Sequence, residues 1–184
     1  TGRKMAKRIL RYLRGNAAKG LVYKREDGLE LIAASDANHA GDIASRKSQM
    51  GVALFLGSCP IEATSRQQNS TAISVFESEL IAASEAAMSV VHVDNCLKQL
   101  GIEVKKPIPL LIDNQSVCDV AATGKKTHRT RHIGVRYFFI REKVEDGLIK
   151  TCKAASEDQP ADGLTKVMSG DEFDKFSDYF VRDI

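Results

Sequence analysis

Four acidic residues stand at positions from which a folded chain could gather them into a site for metal-assisted phosphodiester hydrolysis. Asp36 closes the stretch LELIAAS, and Glu79 lies in the first half of a long helical pattern, beside its apolar stripe. Asp113 directly follows PIPLLI, and Asp162 follows Pro160-Ala161 at the start of a late helix. Hydrolysis by two metal ions needs several carboxylates facing one point, with hard divalent cations about 4 Å apart across the attacking and leaving oxygens. Magnesium takes oxygen ligands and keeps part of its water. A carboxyl group buried without a partner costs roughly several kcal/mol, so an acid that ends an apolar run calls for a reason. Singly, each acid has an ordinary reading, as a turn or cap residue for aspartate and a solvated face for glutamate. Together, in the order strand, helix, strand, helix, they point to one chemistry.

The elements that must position them follow from periodicity. RKMAKRILRYLR repeats apolar residues at helical spacing, and Gly15-Asn16 stops it. LVYKREDGLELIAASDA offers two strands about a hairpin turn at Glu26-Asp27-Gly28. SQMGVALFLGS and PIEATSRQ are two further strands. From Ser70 to Leu100 the period becomes helical, with Ala72, Phe76, Leu80, Ala83, Ala87, Val90 and Val91 on one stripe and Gly101 closing it. PIPLLID reads as a buried strand, NQSVCDVAATG as a short helix, 130–144 as a helix and GLIKTCKA as a last strand. EDQPADGLTKVMSG and DEFDKFSDYFVRDI read as terminal helices. Tyr137, Phe138 and Phe139 read as helix core rather than a stacking platform. Strands first, then alternating helices and strands, predict an α/β fold whose mixed sheet has antiparallel strands 1–3 and parallel strands beyond.

Composition narrows the partners. A 43% hydrophobic content over 184 residues supports one compact domain. No apolar run reaches membrane-spanning length, so no membrane partner is expected. TGRKMAKRIL carries neither a signal-peptide pattern nor an initiator Met and reads as the start of an excised fragment. Cys59, Cys96, Cys118 and Cys152 are scattered, without a CxxC pair, and read as reduced thiols rather than a zinc site. Net charge is only +3, yet Arg3, Lys4, Lys7, Arg8, Arg11, Arg14, Lys19, Lys24 and Arg25 precede the first acid, Glu26. A second basic run occupies 124–143. Two basic blocks on a near-neutral chain suit a polyanion, or else a solvated helix face.

Several stretches together resemble the ribonuclease H domain of copia-type (Pseudoviridae) long-terminal-repeat retrotransposons. They are RILRYLRG, SDANHAGDIASRKSQMGVALFLGSCPI, ESELIAASEA, LLIDNQSV, RTRHIGVRYFFIREKVEDGLIK and EDQPADGLTK, in matching order from about residue 8 to about residue 167. The resemblance implies a ribonuclease H-like fold with a five-stranded mixed sheet flanked by helices. It implies Asp36, Glu79, Asp113 and Asp162 as the catalytic, metal-ligating set for two Mg2+ ions, for which Mn2+ can substitute. Asp36 would bridge the ions, Glu79 and Asp113 would serve the leaving-group side, and Asp162 the nucleophile side. The implied substrate is an RNA–DNA hybrid, cut in its RNA strand to leave a 5′-phosphate and a 3′-hydroxyl. The implied context is a polyprotein that also carries reverse transcriptase, acting in cytoplasmic particles or the nucleus, with residues 1–20 as the basic connection and 21–184 as the domain. Asn38 and His39 stand where the family has Asp and Trp, Gly134 and Phe138 also depart from it, and none of these is one of the four acids.

Discrimination of RNA from DNA involves the 2′-hydroxyl; Gln115 and Ser74 are the nearby polar candidates, with Asn38 contributing through its backbone. Arg46, Lys47, Arg66, Arg129 and Arg131 are candidates for phosphate contact. His39 reads as structural, because magnesium prefers oxygen; His128 and His132 belong with the basic surface. Two other readings remain open at this point: a catalytically degenerate nucleic-acid-binding or connection module, and a DNA-cutting relative of the integrase and resolvase kind. Nothing in the sequence specifies an oligomeric state.

Overall fold

The computed structural model describes residues 2–123, 134–155 and 158–184. At its centre lies a five-stranded sheet built from β2 (Leu31–Asn38), β3 (Gln49–Leu56), β4 (Cys59–Gln67), β5 (Ile108–Ile112) and β6 (Ile149–Lys153). The order is β4-β3-β2-β5-β6. The first three strands form an antiparallel meander, whereas β2–β5 and β5–β6 are parallel. This is the mixed sheet that the alternation of strands and helices predicts.

Helix α2 (Val75–Gln99) covers one face. Its Phe76, Leu80, Ala83, Ala87 and Val90 pack with Leu31, Ala33, Val52, Leu54 and Leu110 in the main core. Each such large apolar side chain, fully buried, contributes roughly 1.5–3 kcal/mol. The helix starts five residues later than the apolar pattern suggests. Ser74 accepts a hydrogen bond from Glu77 N at 3.1 Å, and Glu77 in turn accepts one from Ile73 N at 2.8 Å, which sets the boundary. Gly101 (φ +74°) ends it, in a backbone region open to glycine. Helices α3 (Gln115–Thr123) and α4 (Gly134–Glu145) complete this layer. Tyr137 and Ile140 are buried there, while Phe138, expected in the core, is half exposed.

The opposite face buries Ala34, Ala53, Phe55 and Ala161, with Leu111, Leu164, Tyr179 and Phe180 packed on them. β2 is therefore covered on both sides, which explains its near-continuous apolar run. The segment around Ala161 is a single 3-10 turn (Asp162–Leu164), not the expected helix. Only α5 (Gly170–Ser177) is helical beyond it, capped by Ser169 and Glu172.

The hairpin expected at 21–31 does not form. Leu21 and Tyr23 are exposed and Arg25–Asp27 is a 3-10 turn, while the Tyr23 hydroxyl donates to Pro60 O at 3.1 Å. β1 (Lys19–Gly20) pairs instead with β7 (Arg182–Asp183), antiparallel. Helix α1 (Gly2–Gly15) buries none of its residues. It rests on α5 through Tyr12, whose ring meets Phe173 edge-on with centroids 5.4 Å apart. All four cysteines are free thiols. No helix of the described residues is long and apolar enough to cross a membrane.

Candidate active site

Parallel pairing of β2 with β5 brings the C-terminal ends of both strands to one edge of the sheet, and with them Asp36 and Asp113. Asp36 lies inside β2 rather than at its end, since the strand runs on to Asn38. Strand alternation places it on the face of Ala34, against the turn that carries Asp162. Glu79, one turn into α2, reaches the same edge and accepts a hydrogen bond from the backbone N–H of Ala37. Carboxylate oxygens of Asp36, Glu79 and Asp113 all lie within 4.8 Å of one another. Asp162 stands beside this trio: its charge acts on both Asp36 and Asp113, while its own Oδ2 is 2.6 Å from Lys166 Nζ.

Burial and mutual repulsion set the electrostatics. Desolvation pushes Glu79 up to about 9, with Asp36 and Asp113 adding to the rise. Desolvation likewise pushes Asp36 up to about 6 against the pull of the Thr165 hydroxyl, and Asp113 is raised mainly by burial and then by Asp162. Glu79 is 3% exposed, and its Oε2 has no hydrogen-bond partner among the described residues. A buried glutamate with an unpartnered oxygen, grouped with two further acids, is a donor set suited to a hard divalent cation. The residues that would hold such a cation are Asp36, Glu79 and Asp113, with Asp162 adjoining.

Three further residues hold this arrangement and were not singled out from the sequence. Gln159 is buried; its Nε2 donates to Ser35 O (3.1 Å) and Leu111 O (3.4 Å), tying β2 and β5 to the turn. The Thr165 hydroxyl makes a short hydrogen bond to Asp36 Oδ2 and lies 2.9 Å from Asp162 O. Lys166 pairs with Asp162. All three lie within EDQPADGLTK, where polar residues cluster around the fourth acid, the one signal available. Gly51 of β3 admits the turn: a Cβ there would sit 2.7 Å from Ala161 O and 2.8 Å from Leu164 Cβ.

The candidate nucleic-acid contacts are distributed unevenly. Arg46 and Lys47, in the β2–β3 loop, and Arg66, near the end of β4, lie at the sheet edge that carries the acids. Arg66 makes a close ion pair with Glu85. Asn38 Nδ2 donates to Thr165 O at 3.4 Å and lines a groove of about 570 Å3 with Gln49, Ser65, Gln67 and Lys166. Gln115 is exposed and donates to Asp119 at 2.6 Å. The Ser74 hydroxyl oxygen caps α2, accepting from Glu77 N at 3.1 Å. Arg129, Arg131, His128 and His132 lie outside the described residues.

The fold defines the class as a ribonuclease H-fold domain. LC11-RNase H1, isolated from compost by a metagenomic approach, superimposes with a TM-score of 0.57 at 16% identity over 74% of this chain and 92% of its own. The same enzyme in complex with an RNA/DNA hybrid gives 0.57 at 12% identity, over 74% and 94%. The N-terminal RNase H domain of a Mycobacterium tuberculosis protein gives 0.54 at 12%, over 82% and 98%. No protein-family model matches the chain. The Pol polyprotein of transposon TNT 1-94 from Nicotiana tabacum is 37% identical over 166 residues, and those of RE1 and RE2 from Arabidopsis thaliana are 33% identical over 171. These alignments cover 90–93% of this chain and 12% of each relative, so the chain spans a small part of their length. By sequence the chain belongs to the retrovirus-related Pol polyproteins of copia-type transposons, as one segment of them.

Proposed function

We propose that this domain hydrolyses the RNA strand of RNA–DNA hybrids, using divalent ions held by Asp36, Glu79, Asp113 and Asp162. The observation that carries this reading is the three-carboxylate cluster with its orphaned Glu79 Oε2, placed at the sheet edge of a ribonuclease H fold. Bound ions there supply Lewis-acid stabilisation of charge on the phosphate oxygens and make a water acidic enough to attack. Thr165 orients one oxygen of Asp36 and leaves the other for ligation. Gln159 and Gly51 keep the Asp162 turn seated on the sheet. Arg46 and Lys47 bind backbone phosphates in this reading, while Asn38 and Gln115 face the RNA strand. Mg2+ is the working ion, and Mn2+ substitutes for it.

The wider setting is part of the same proposal: a Pol polyprotein that also carries reverse transcriptase, acting in cytoplasmic particles. Residues 1–20 then form the basic connection and 21–184 the nuclease domain. The test is incubation of labelled hybrid, double-stranded RNA and duplex DNA with Mg2+ or Mn2+. Loss of hybrid RNA alone is expected, abolished by Asp113→Asn with hybrid binding retained. Cleavage of duplex DNA, or undiminished cleavage by Asp113→Asn, would refute the proposal.

A further inference from the structure

Among the described residues, Lys166 forms an ion pair with a member of the acidic cluster, Asp162. Its Nζ lies 2.6 Å from Asp162 Oδ2, on the side chain four residues on. The backbone around Asp162 is fixed on both sides. Gln159 anchors the approach, and the Thr165 hydroxyl and the Asn38 amide anchor the exit. Gly51 leaves no slack beneath the turn. Asp162 therefore changes partners by side-chain movement, and what holds its side chain is Lys166. Asp36, Glu79 and Asp113, by contrast, already present their oxygens to one point, one of them with nothing to bond. Lys166 is half exposed and borders the groove lined by Asn38 and Gln67, so it can swing away with no backbone rearrangement.

We propose that Lys166 is a positioning residue that occupies Asp162 in the metal-free protein and so imposes an order of ion binding. One ion enters the Asp36–Glu79–Asp113 trio first, and ligation by Asp162 follows only when Lys166 lets go. Once released into the groove, its ammonium is free to meet a substrate phosphate, so loading of the second position is coupled to arrival of the polyanion. This rests on the active-site reading above and adds to it a built-in counter-ion for the fourth acid.

Mn2+ titration of the full chain, followed by the EPR signal of the free ion, tests it without any turnover. Wild type shows a tighter and a weaker class of site, and Asp162→Asn abolishes the weaker one. Lys166→Met, which keeps the length and removes the charge, tightens the weaker class by about twofold to fivefold, the scale of a partly exposed ion pair, and the tighter class by much less. Lys166→Arg restores the wild-type gap between the classes. An unchanged weaker class in Lys166→Met, or equal tightening of both classes, overturns the proposal. If Asp113→Asn weakens neither class, the active-site reading itself fails, and the ordering falls with it.

Discussion

The raised carboxyls predict that metal binding releases protons at neutral pH. Glu79, with its pKa near 9 in the metal-free fold, is ~99% protonated at pH 7, and Asp36, near 6, is ~10% protonated. Ligation requires both to be ionised, so at least ~1.1 protons leave per protein when the first ion binds. At pH 5 the same two groups release ~2 protons, because Asp36 is then ~90% protonated. Affinity should rise about tenfold per pH unit between pH 6 and 9, and more steeply below. The assay is isothermal calorimetry in buffers of different ionisation enthalpy, where the slope of apparent enthalpy against buffer enthalpy counts the protons. Glu79→Gln should cut the release at pH 7 to ~0.1. The folded protein also holds this proton more tightly than the unfolded chain, whose Glu79 titrates near the ordinary 4.5. The stabilisation is therefore fully present below pH 4.5 and lost as pH rises towards 9. The metal-free wild type should melt lower at pH 8.5 than at pH 5.5, with a shallower dependence in Glu79→Gln. A calorimetric slope near zero at pH 7 for wild type would mean that Glu79 is ionised before any ion arrives, and that its burial does not hold the proton.

Other expectations follow from the residues around the acids. Gly51→Val forces a side chain into Ala161 and Leu164; it should cost about 1–3 kcal/mol of stability by denaturant titration and, by shifting Asp162, lower hybrid cleavage by roughly a hundredfold. Gln159→Leu leaves buried carbonyls of β2 and β5 without their side-chain donor and should lower stability by about 1–3 kcal/mol, read from the denaturation midpoint. Thr165→Val removes the hydroxyl that pulls the Asp36 pKa down, so the onset of Mn2+ binding should move to higher pH, and Thr165→Ser should restore it.

Much of this was visible in the residue pattern. The apolar run MGVALFL, the turn at Gly57-Ser58 and the following PIEATSRQ are local signals, and they specify the β3–β4 hairpin directly. The long apolar stripe of α2 and the buried run PIPLLI place Glu79 and Asp113 on elements that must pack together. What the pattern hid depends on distant partners. LVYK has strand-like residues, yet no second strand among the described residues offers it a register, so the chain there stays irregular. β7 is two residues long, too short for any periodicity, and exists because β1 lies beside it. Thr165, Gln159 and Gly51 matter through contacts with residues 36, 35, 111 and 161, separations at which spacing carries no information. Ser74 is a different case: the S-x-x-E signature of Ser74 and Glu77 is present in the sequence and marks a helix cap.

Anomalous diffraction from crystals grown with Mn2+ and an RNA–DNA hybrid would test the cradle most directly. Peaks are expected between Asp36, Glu79 and Asp113, with Asp162 turned from Lys166 towards them. Manganese bound only elsewhere on the chain, with Glu79 still without a ligand, would contradict it.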